Sequence, residues 1–354
     1  MPHLFEPFTL RGVTLRNRIG IPPMCQYSYQ DGFSNEWQLV HLGTRAAGGA
    51  GLIIAEAAAV EPRGRITPND VGIWSDAHIE PLAKVSHIIK SQGAVAGIQI
   101  AHAGRKANTN RPWDGGSPIS ENDPRWWQVI GPSAIAFSSR HQTPKEMTLE
   151  DIQATQQLFR QAAERTLAAG FEWLELHAAH GYLIHSFYSP LSNHREDAYG
   201  GSFENRVRFL LETVQTMRAV WPERLPFTVR ISGTDWHEYG WTVEDSVVLG
   251  KMLKQNGVDL VDCSSGGNAP DATIPFGPNY QVHISESVRG QAGIPTAAVG
   301  LITQARQADQ IIRDGQADIV LLGREMLRNP TWPIQAAKEL GYTAPIPAQY
   351  LRAY

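Results

Sequence analysis

Apolar residues gather along this chain in eight short runs, at 17–24, 51–60, 94–103, 171–177, 226–232, 257–264, 295–302 and 317–322. Gly, Pro or Asp bounds the runs, as expected of β-strands. Between them lie segments whose apolar positions recur at helical spacing. In 149–168, Ile152, Thr155, Phe159, Ala162 and Thr166 trace one face, with Thr148 placed to cap the helix and Gly170 to end it. Alternation of strand and helix along the whole chain predicts an α/β protein with a parallel sheet. Eight such units predict a single (β/α)8 TIM barrel spanning 1–354 as one domain. A doubly wound sheet is the alternative, but it normally carries G-x-G-x-x-G after an early strand, and no such string occurs.

Two stretches fall outside the repeats. Residues 108–144 form a long insertion after the third strand, rich in Pro and Gly and carrying Trp113, Trp126 and Trp127. Long loops in compact domains are usually functional or disordered, and this aromatic content predicts a packed, lid-like segment. The other stretch, 330–354, is a C-terminal extension ending Tyr-Leu-Arg-Ala-Tyr.

The balance of 31 Lys and Arg against 35 Asp and Glu is spread without basic clusters, so no footprint for nucleic acid is present. The two cysteines, Cys25 and Cys263, are far apart in sequence, which fits a reducing compartment better than a disulfide scaffold. No basic and apolar leader and no long apolar span is visible, and the expectation is a cytoplasmic protein without a membrane partner.

Barrel enzymes draw their reacting groups from the C-terminal ends of the strands. Here those ends carry Pro23, Met24, Cys25 and Tyr27 (strand 1), Ala57 and Ala58 (strand 2), and Gln99, His102 and Lys106 (strand 3). Strand 4 carries His177, His180 and Tyr182, and strand 5 Arg230; strand 6 ends in Cys-Ser-Ser-Gly-Gly (263–267), and the last two strands end at Gly300 and at Gly323-Arg324. His-Ala-Ala-His-Gly-Tyr (177–182) puts two imidazoles and a phenol within six residues. Strand geometry alone would send His177 and His180 to opposite faces, so a helical turn after His177 is expected to bring them together. Taken alone, the pair is equally compatible with a surface turn, core histidines or a metal site. Gly300, Gly323 and Arg324 combine close backbone approach with a guanidinium fork, which suits a phosphate. Between that end and the small residues of strands 1 and 2 there is room for a flat group, with Arg230 to balance negative charge and Gln99 to pair an amide-like edge. Flavin mononucleotide meets these requirements; an interior ion pair of Arg230 with an acidic neighbour such as Glu175 is the structural alternative.

With these residues in place, the chain resembles the Old Yellow Enzyme family of FMN-dependent ene reductases, in its short bacterial branch, the xenobiotic reductase and thermophilic-like group. The strings carrying the resemblance are Pro-Pro-Met-Cys-Gln-Tyr-Ser (22–28), Gln-Ile-Ala-His-Ala-Gly-Arg-Lys (99–106), His-Ala-Ala-His-Gly-Tyr-Leu-Ile-His (177–185) and Ser-Pro-Leu-Ser-Asn-His-Arg (189–195), the last running on to Tyr-Gly-Gly-Ser-Phe-Glu-Asn-Arg (199–206). The resemblance implies non-covalent FMN, NAD(P)H as reductant with NADPH favoured, and an oxidant that is an α,β-unsaturated carbonyl or nitro compound. Carried over residue by residue, it implies that Pro23, Met24, Cys25, Ala57, Gln99 and Arg230 contact the flavin. Gly300, Gly323 and Arg324 would then hold its phosphate. It further implies that His177 and His180 grip the substrate oxygen while hydride passes from flavin N5 to the β-carbon, with Tyr182 giving a proton to the α-carbon.

Cys25 and Tyr27 mark the branch, which also implies a homodimer or homotetramer whose C-terminal segment reaches a neighbouring site. The arginine that some members place four residues after Arg-Asn-Pro is Ile334 here, so Arg352 or Tyr354 is expected to make that contact instead.

Rival barrel chemistries find less support. A metal-dependent hydrolase would use His177, His180 and His185 but lacks His-x-His after strand 1, and a Schiff-base lyase has only Lys106 near a strand end. A flavin-binding sensor without catalysis would have no use for Tyr182. The longer iron–sulfur members of the family need a cysteine cluster that two distant cysteines cannot supply.

Overall fold

The computed structural model describes residues 2–353. Eight parallel strands close into a barrel in chain order: β1 Ile19–Ile21, β2 Leu52–Ala59, β3 Val95–Ala101, β4 Trp173–Ala178, β5 Phe227–Ser232, β6 Leu260–Ser264, β7 Thr296–Val299 and β8 Ile319–Leu321. The pairing of Val320 with Ile19 and Leu321 with Gly20 closes the ring. Every strand is buried at every position, as a sheet covered by helices outside and side chains inside requires. All eight predicted strands are present, each shorter than expected, from one residue in β4 and β5 to five in β1, because flanking residues leave the ladder to become loops.

The outer ring comprises α1 Glu36–Ala47, α2 Ile79–Ser91, α3 Leu149–Ala168, the short α4 Leu183–Tyr188, α5 Phe203–Arg218, α6 Val243–Gln255, α7 Val282–Ala292 and α8 Ala305–Arg313. After β8 come α9 Arg324–Arg328 and α10 Trp332–Leu340. In α3 the predicted face is the buried one. The Thr148 hydroxyl accepts from the Asp151 N–H while Asp151 answers the Thr148 N–H, a reciprocal cap, and Gly170 follows in the left-handed region at φ +79°.

At the opposite end from the strand C-termini, the antiparallel hairpin Phe8–Leu10 with Val13–Leu15 covers the barrel floor, and the Gly12 N–H donates to the Arg224 carbonyl just before β5. The insertion 108–144 is mostly irregular, with Ile130–Gly131 paired to Lys145–Glu146. Trp127 anchors it by donating to the Arg63 carbonyl at 2.9 Å, while Trp113 is largely exposed and meets Tyr27 edge-on at 6.0 Å. Ile334 is buried in α10 and cannot serve as an exposed finger. Arg352 is exposed on a final turn, Ala348–Ala353, and Tyr354 lies outside the described residues. No helix among the described residues is long and apolar enough to cross a membrane.

Candidate functional site

Three strands carry a carboxylate within an otherwise apolar run, Glu56 in β2, Glu175 in β4 and Asp262 in β6, and β5 carries Arg230. Inside a barrel such a charge must find partners. The register supplies them for two. Gln99, Glu175 and Thr228 lie side by side on β3, β4 and β5, and one step closer to the mouth His177, Arg230 and Asp262 lie side by side on β4, β5 and β6. Gln99 donates to Glu175 at 2.9 Å. The partner of Arg230 is Asp262, 3.0 Å from its Nε, and not Glu175, because the β5–β6 register sets Arg230 directly opposite Asp262. The approach is off-line, so neither the Arg230 Nε nor either Asp262 oxygen completes a hydrogen bond within the protein. Burial raises both the Asp262 and the Glu175 carboxyl.

Strand β4 ends at Ala178, and the expected helical turn does not follow. His180 instead takes a left-handed backbone, φ +59°, which swings its ring back toward His177. The two imidazoles meet edge-on at 5.2 Å between centroids, and Tyr182 meets His177 edge-on at 4.9 Å. Two devices hold this turn. The Ser232 hydroxyl accepts from the His180 N–H at 2.8 Å, and the Lys106 ammonium bridges the His180 and Gly267 carbonyls at 2.8 and 2.7 Å. Gly181, at φ +75°, packs its backbone on Gly267, so any side chain there presses into the Gly267 carbonyl. Gly181→Ala should therefore lower unfolding stability by upwards of ~1 kcal/mol in a denaturant titration, and an unchanged midpoint would refute this account of the turn. Non-glycine residues in the same backbone region also follow β1, β5 and β7, namely Tyr27, Trp236 and Leu301. Backbone strain collected at one face of a barrel is a mark of a working site.

Both imidazoles are neutral. Burial first, and Arg230 second, hold the pKa of His177 and His180 well below the ordinary value. His177 Nδ1 accepts from the Ala179 N–H at 3.1 Å, which leaves its proton on Nε2 and makes that atom a donor. His180 Nε2 lies 2.7 Å from the Ser264 hydroxyl. Burial lifts the Tyr182 phenol far above its usual range, with Cys25 and Asp70 adding to the effect. The group keeps its proton at every working pH.

Residues 23–27 follow β1 without regular structure and are half-buried. Glu56 fastens this stretch by accepting from the Gln26 N–H at 2.7 Å and from the Tyr29 hydroxyl. Burial, then Asp70 and Glu56, raise the Cys25 thiol, so it is a thiol and not a thiolate. Cys263 is fully buried. Ala57, Asp70 and Tyr182 border a small cavity between β2 and β3. Across the barrel, Gly300, Gly323 and Arg324 line a cavity of about 130 Å3 with Leu301 and Thr303. At Gly300, φ +117°, a side chain would collide with Gln281 and Tyr280; at Gly323 the backbone is open toward Met24 and Pro22. Arg324 stands exposed at this cavity with no described carboxylate or carbonyl as partner.

The candidates at the strand ends therefore lie at one end of the barrel, with His102 there committed through its Nε2 to Glu61 at 2.8 Å, whereas Arg352 sits on the final turn and Tyr354 lies outside the described residues. Glu56, Asp70 and Ser232 were not among the candidates, while Ser264 entered only as part of the strand 6 end. For Glu56 the signal was the lone charge in an apolar strand; for Ser232 there was none, since its partner His180 comes from another strand, and for Asp70 there was none, since its own hydrogen bonds are local ones to Ile66 and Thr67. No three His, Cys, Asp or Glu side chains converge as a metal site would need among the described residues. Lys106 is occupied by two carbonyl oxygens.

FMN asks for an anion cradle, a slot for a flat ring and a positive charge at one edge of it. The glycine-lined cavity with an unpaired guanidinium answers the first, and the half-buried 23–27 stretch with Ala57 the second. Arg230, buried with an orphaned Nε, answers the third. The residues fit the group.

A profile of the NADH:flavin oxidoreductase / NADH oxidase family matches residues 3–342. The NADPH dehydrogenase of Geobacillus sp. (strain WCH70) is 50% identical over 353 residues, covering 99% of this chain and 98% of its own. Morphinone reductase in complex with tetrahydroNAD is similar in structure, with a TM-score of 0.80 at 27% identity over 98% of this chain and 93% of the other. An old yellow enzyme homologue from Zymomonas mobilis shares the fold, with a TM-score of 0.80 at 24% identity over 97% of this chain and 94% of that one. A closed barrel, a cradle fitted to FMN and a match along nearly the whole chain lead to one conclusion: the chain belongs to the NADH:flavin oxidoreductase / NADH oxidase family, as an oxidoreductase with FMN as cofactor and a reduced nicotinamide nucleotide as electron source.

Proposed function

We propose that this chain is an NADPH-dependent ene reductase that saturates the C=C bond of α,β-unsaturated carbonyl compounds and of related nitroalkenes. The observation that carries the reading is the convergence of two neutral imidazoles and a protonated phenol at the mouth of the barrel. Pro23, Met24, Cys25, Ala57, Gln99, Arg230, Gly300, Gly323 and Arg324 would hold FMN, which when bound would supply the hydride chemistry that links NADPH to the β-carbon of the alkene.

The remaining work falls to side chains. As hydride reaches the β-carbon, negative charge builds on the carbonyl or nitro oxygen, and N–H donors aimed at that oxygen bind it more strongly as the charge grows. His177 offers its Nε2–H. His180 offers its Nδ1–H when Nε2 accepts from Ser264. A neutral donor suits this task, since an imidazolium would bind the ground-state oxygen tightly as well and gain less in the transition state. Tyr182, beside His177, gives the proton to the α-carbon. The Arg230 guanidinium, a positive charge at the barrel interior, would favour negative charge at the adjoining edge of a flat ring held there. Cys25 and Tyr27 lie on the half-buried stretch after β1, close enough to Tyr182 to act on its charge.

The test is spectroscopic. The purified protein loaded with FMN should be bleached by NADPH without oxygen and recoloured by 2-cyclohexenone; a bleached sample that stays bleached with the enone would refute the reading. Arg324→Ala should weaken FMN binding by about tenfold or more, the loss of one charge-assisted contact to phosphate, read by fluorescence titration of the apoprotein. Unchanged affinity would move the phosphate elsewhere.

A further inference from the structure

The loop 62–70 after β2 has two sides. One side, with Gly64, Ile66 and Asp70, borders the small cavity beside Tyr182. The other, with Pro62, Arg63, Arg65, Pro68 and Asn69, forms one wall of a groove of about 580 Å3 whose opposite wall is Arg125, Trp126 and Trp127 of the insertion. The groove thus begins where the proposed reaction site ends.

Its chemistry is specific. Arg65 is gripped between two indoles, its guanidinium carbon 5.5 Å from the Trp74 ring centre and 5.1 Å from that of Trp127. Its Nε and Nη1 donate to the carbonyls of Pro62 and Pro68, leaving Nη2 without an acceptor among the described residues. The other guanidiniums on the groove are neutralised: Arg63 by Glu61 at 2.8 Å and Arg125 by Asp123 at 2.7 Å. Asp31 also lines the groove and, with Asp70, acts on Arg65 from a distance without an ion pair. Trp126 is half-buried on the far wall and stacks on no other described ring. One fixed guanidinium with a free Nη2, in no ion pair and facing an open indole, suits an anionic group joined to a flat base.

The reductant of the proposed function has that composition, and the chain carries no glycine-rich dinucleotide motif to hold it elsewhere. We propose that this groove binds the adenosine 2′-phosphate end of NADPH, with Arg65 on the phosphate and Trp126 stacked on the adenine. The proposal rests on the ene-reductase reading for the placement of the nicotinamide at Tyr182. It makes Arg65 the residue that distinguishes NADPH from NADH.

The test compares anaerobic reduction of the holoenzyme by NADPH, NADH and 1-benzyl-1,4-dihydronicotinamide, which has no adenosine tail, in wild type, Arg65→Gln and Trp126→Leu. Arg65→Gln should raise the apparent Kd for NADPH about tenfold and leave the other two reductants unchanged, the size expected for one charge-assisted bond. Trp126→Leu should weaken both dinucleotides and spare the benzyl compound. Calorimetric titration with adenosine 2′,5′-bisphosphate should show the same loss in both variants. Equal effects on all three reductants, or no effect with intact bisphosphate binding, would overturn the groove. If none of the three reduces the wild-type flavin, the functional reading fails while the bisphosphate titration still decides the groove.

Discussion

Tyr182→Phe should slow reoxidation of the reduced enzyme by an enone by about 10²–10⁴-fold, the usual worth of a positioned general acid, while leaving reduction by NADPH within about twofold. The two half-reactions separate the role cleanly, because only the second requires a proton at carbon. The substitution is structurally mild. No described protein group bonds the Tyr182 hydroxyl, so its removal strands no partner, and the ring keeps its edge-on contact with His177. Rapid mixing of each half-reaction measures both numbers. Equal slowing of the two would remove Tyr182 from the role of proton donor.

His177→Ala should cost the same reoxidation step about 10²–10³-fold, the loss associated with one donor to a developing oxyanion. Here a structural cost accompanies the chemical one. The Ala179 N–H, which donates to His177 Nδ1, is left unsatisfied, worth about 1–3 kcal/mol of stability. Running the assay well below the melting transition keeps the two apart. The same imidazoles set a pH expectation: because burial and Arg230 hold them neutral, enone reduction should lose no rate to histidine protonation between about pH 6 and 8, where an ordinary imidazole titrates. A reoxidation rate that is unchanged in His177→Ala would leave the clamp without its main support.

The barrel was legible because parallel strands buried on both faces read as near-continuous apolar runs, as Leu52–Ala59 does apart from Glu56, and because eight such runs alternate with helical segments. The site was legible in outline because a barrel exposes its chemistry at strand ends. Its local geometry was not. His177 and His180 meet through a left-handed residue, held by Lys106 and Ser232 from β3 and β5 sides of the barrel, and no spacing rule encodes contacts made across 50 or more residues. Arg230 likewise takes Asp262, not Glu175, because register decides the partner and register is a property of the closed sheet.

In the proposed reaction the substrate oxygen is bound, not reduced, and hydride is directed to the β-carbon, three bonds from that oxygen. The product of a single turnover tests it. Reduced enzyme mixed anaerobically with one equivalent of 2-cyclohexenone should yield cyclohexanone; formation of cyclohex-2-enol, the product of hydride delivered to the carbonyl carbon, would contradict the account.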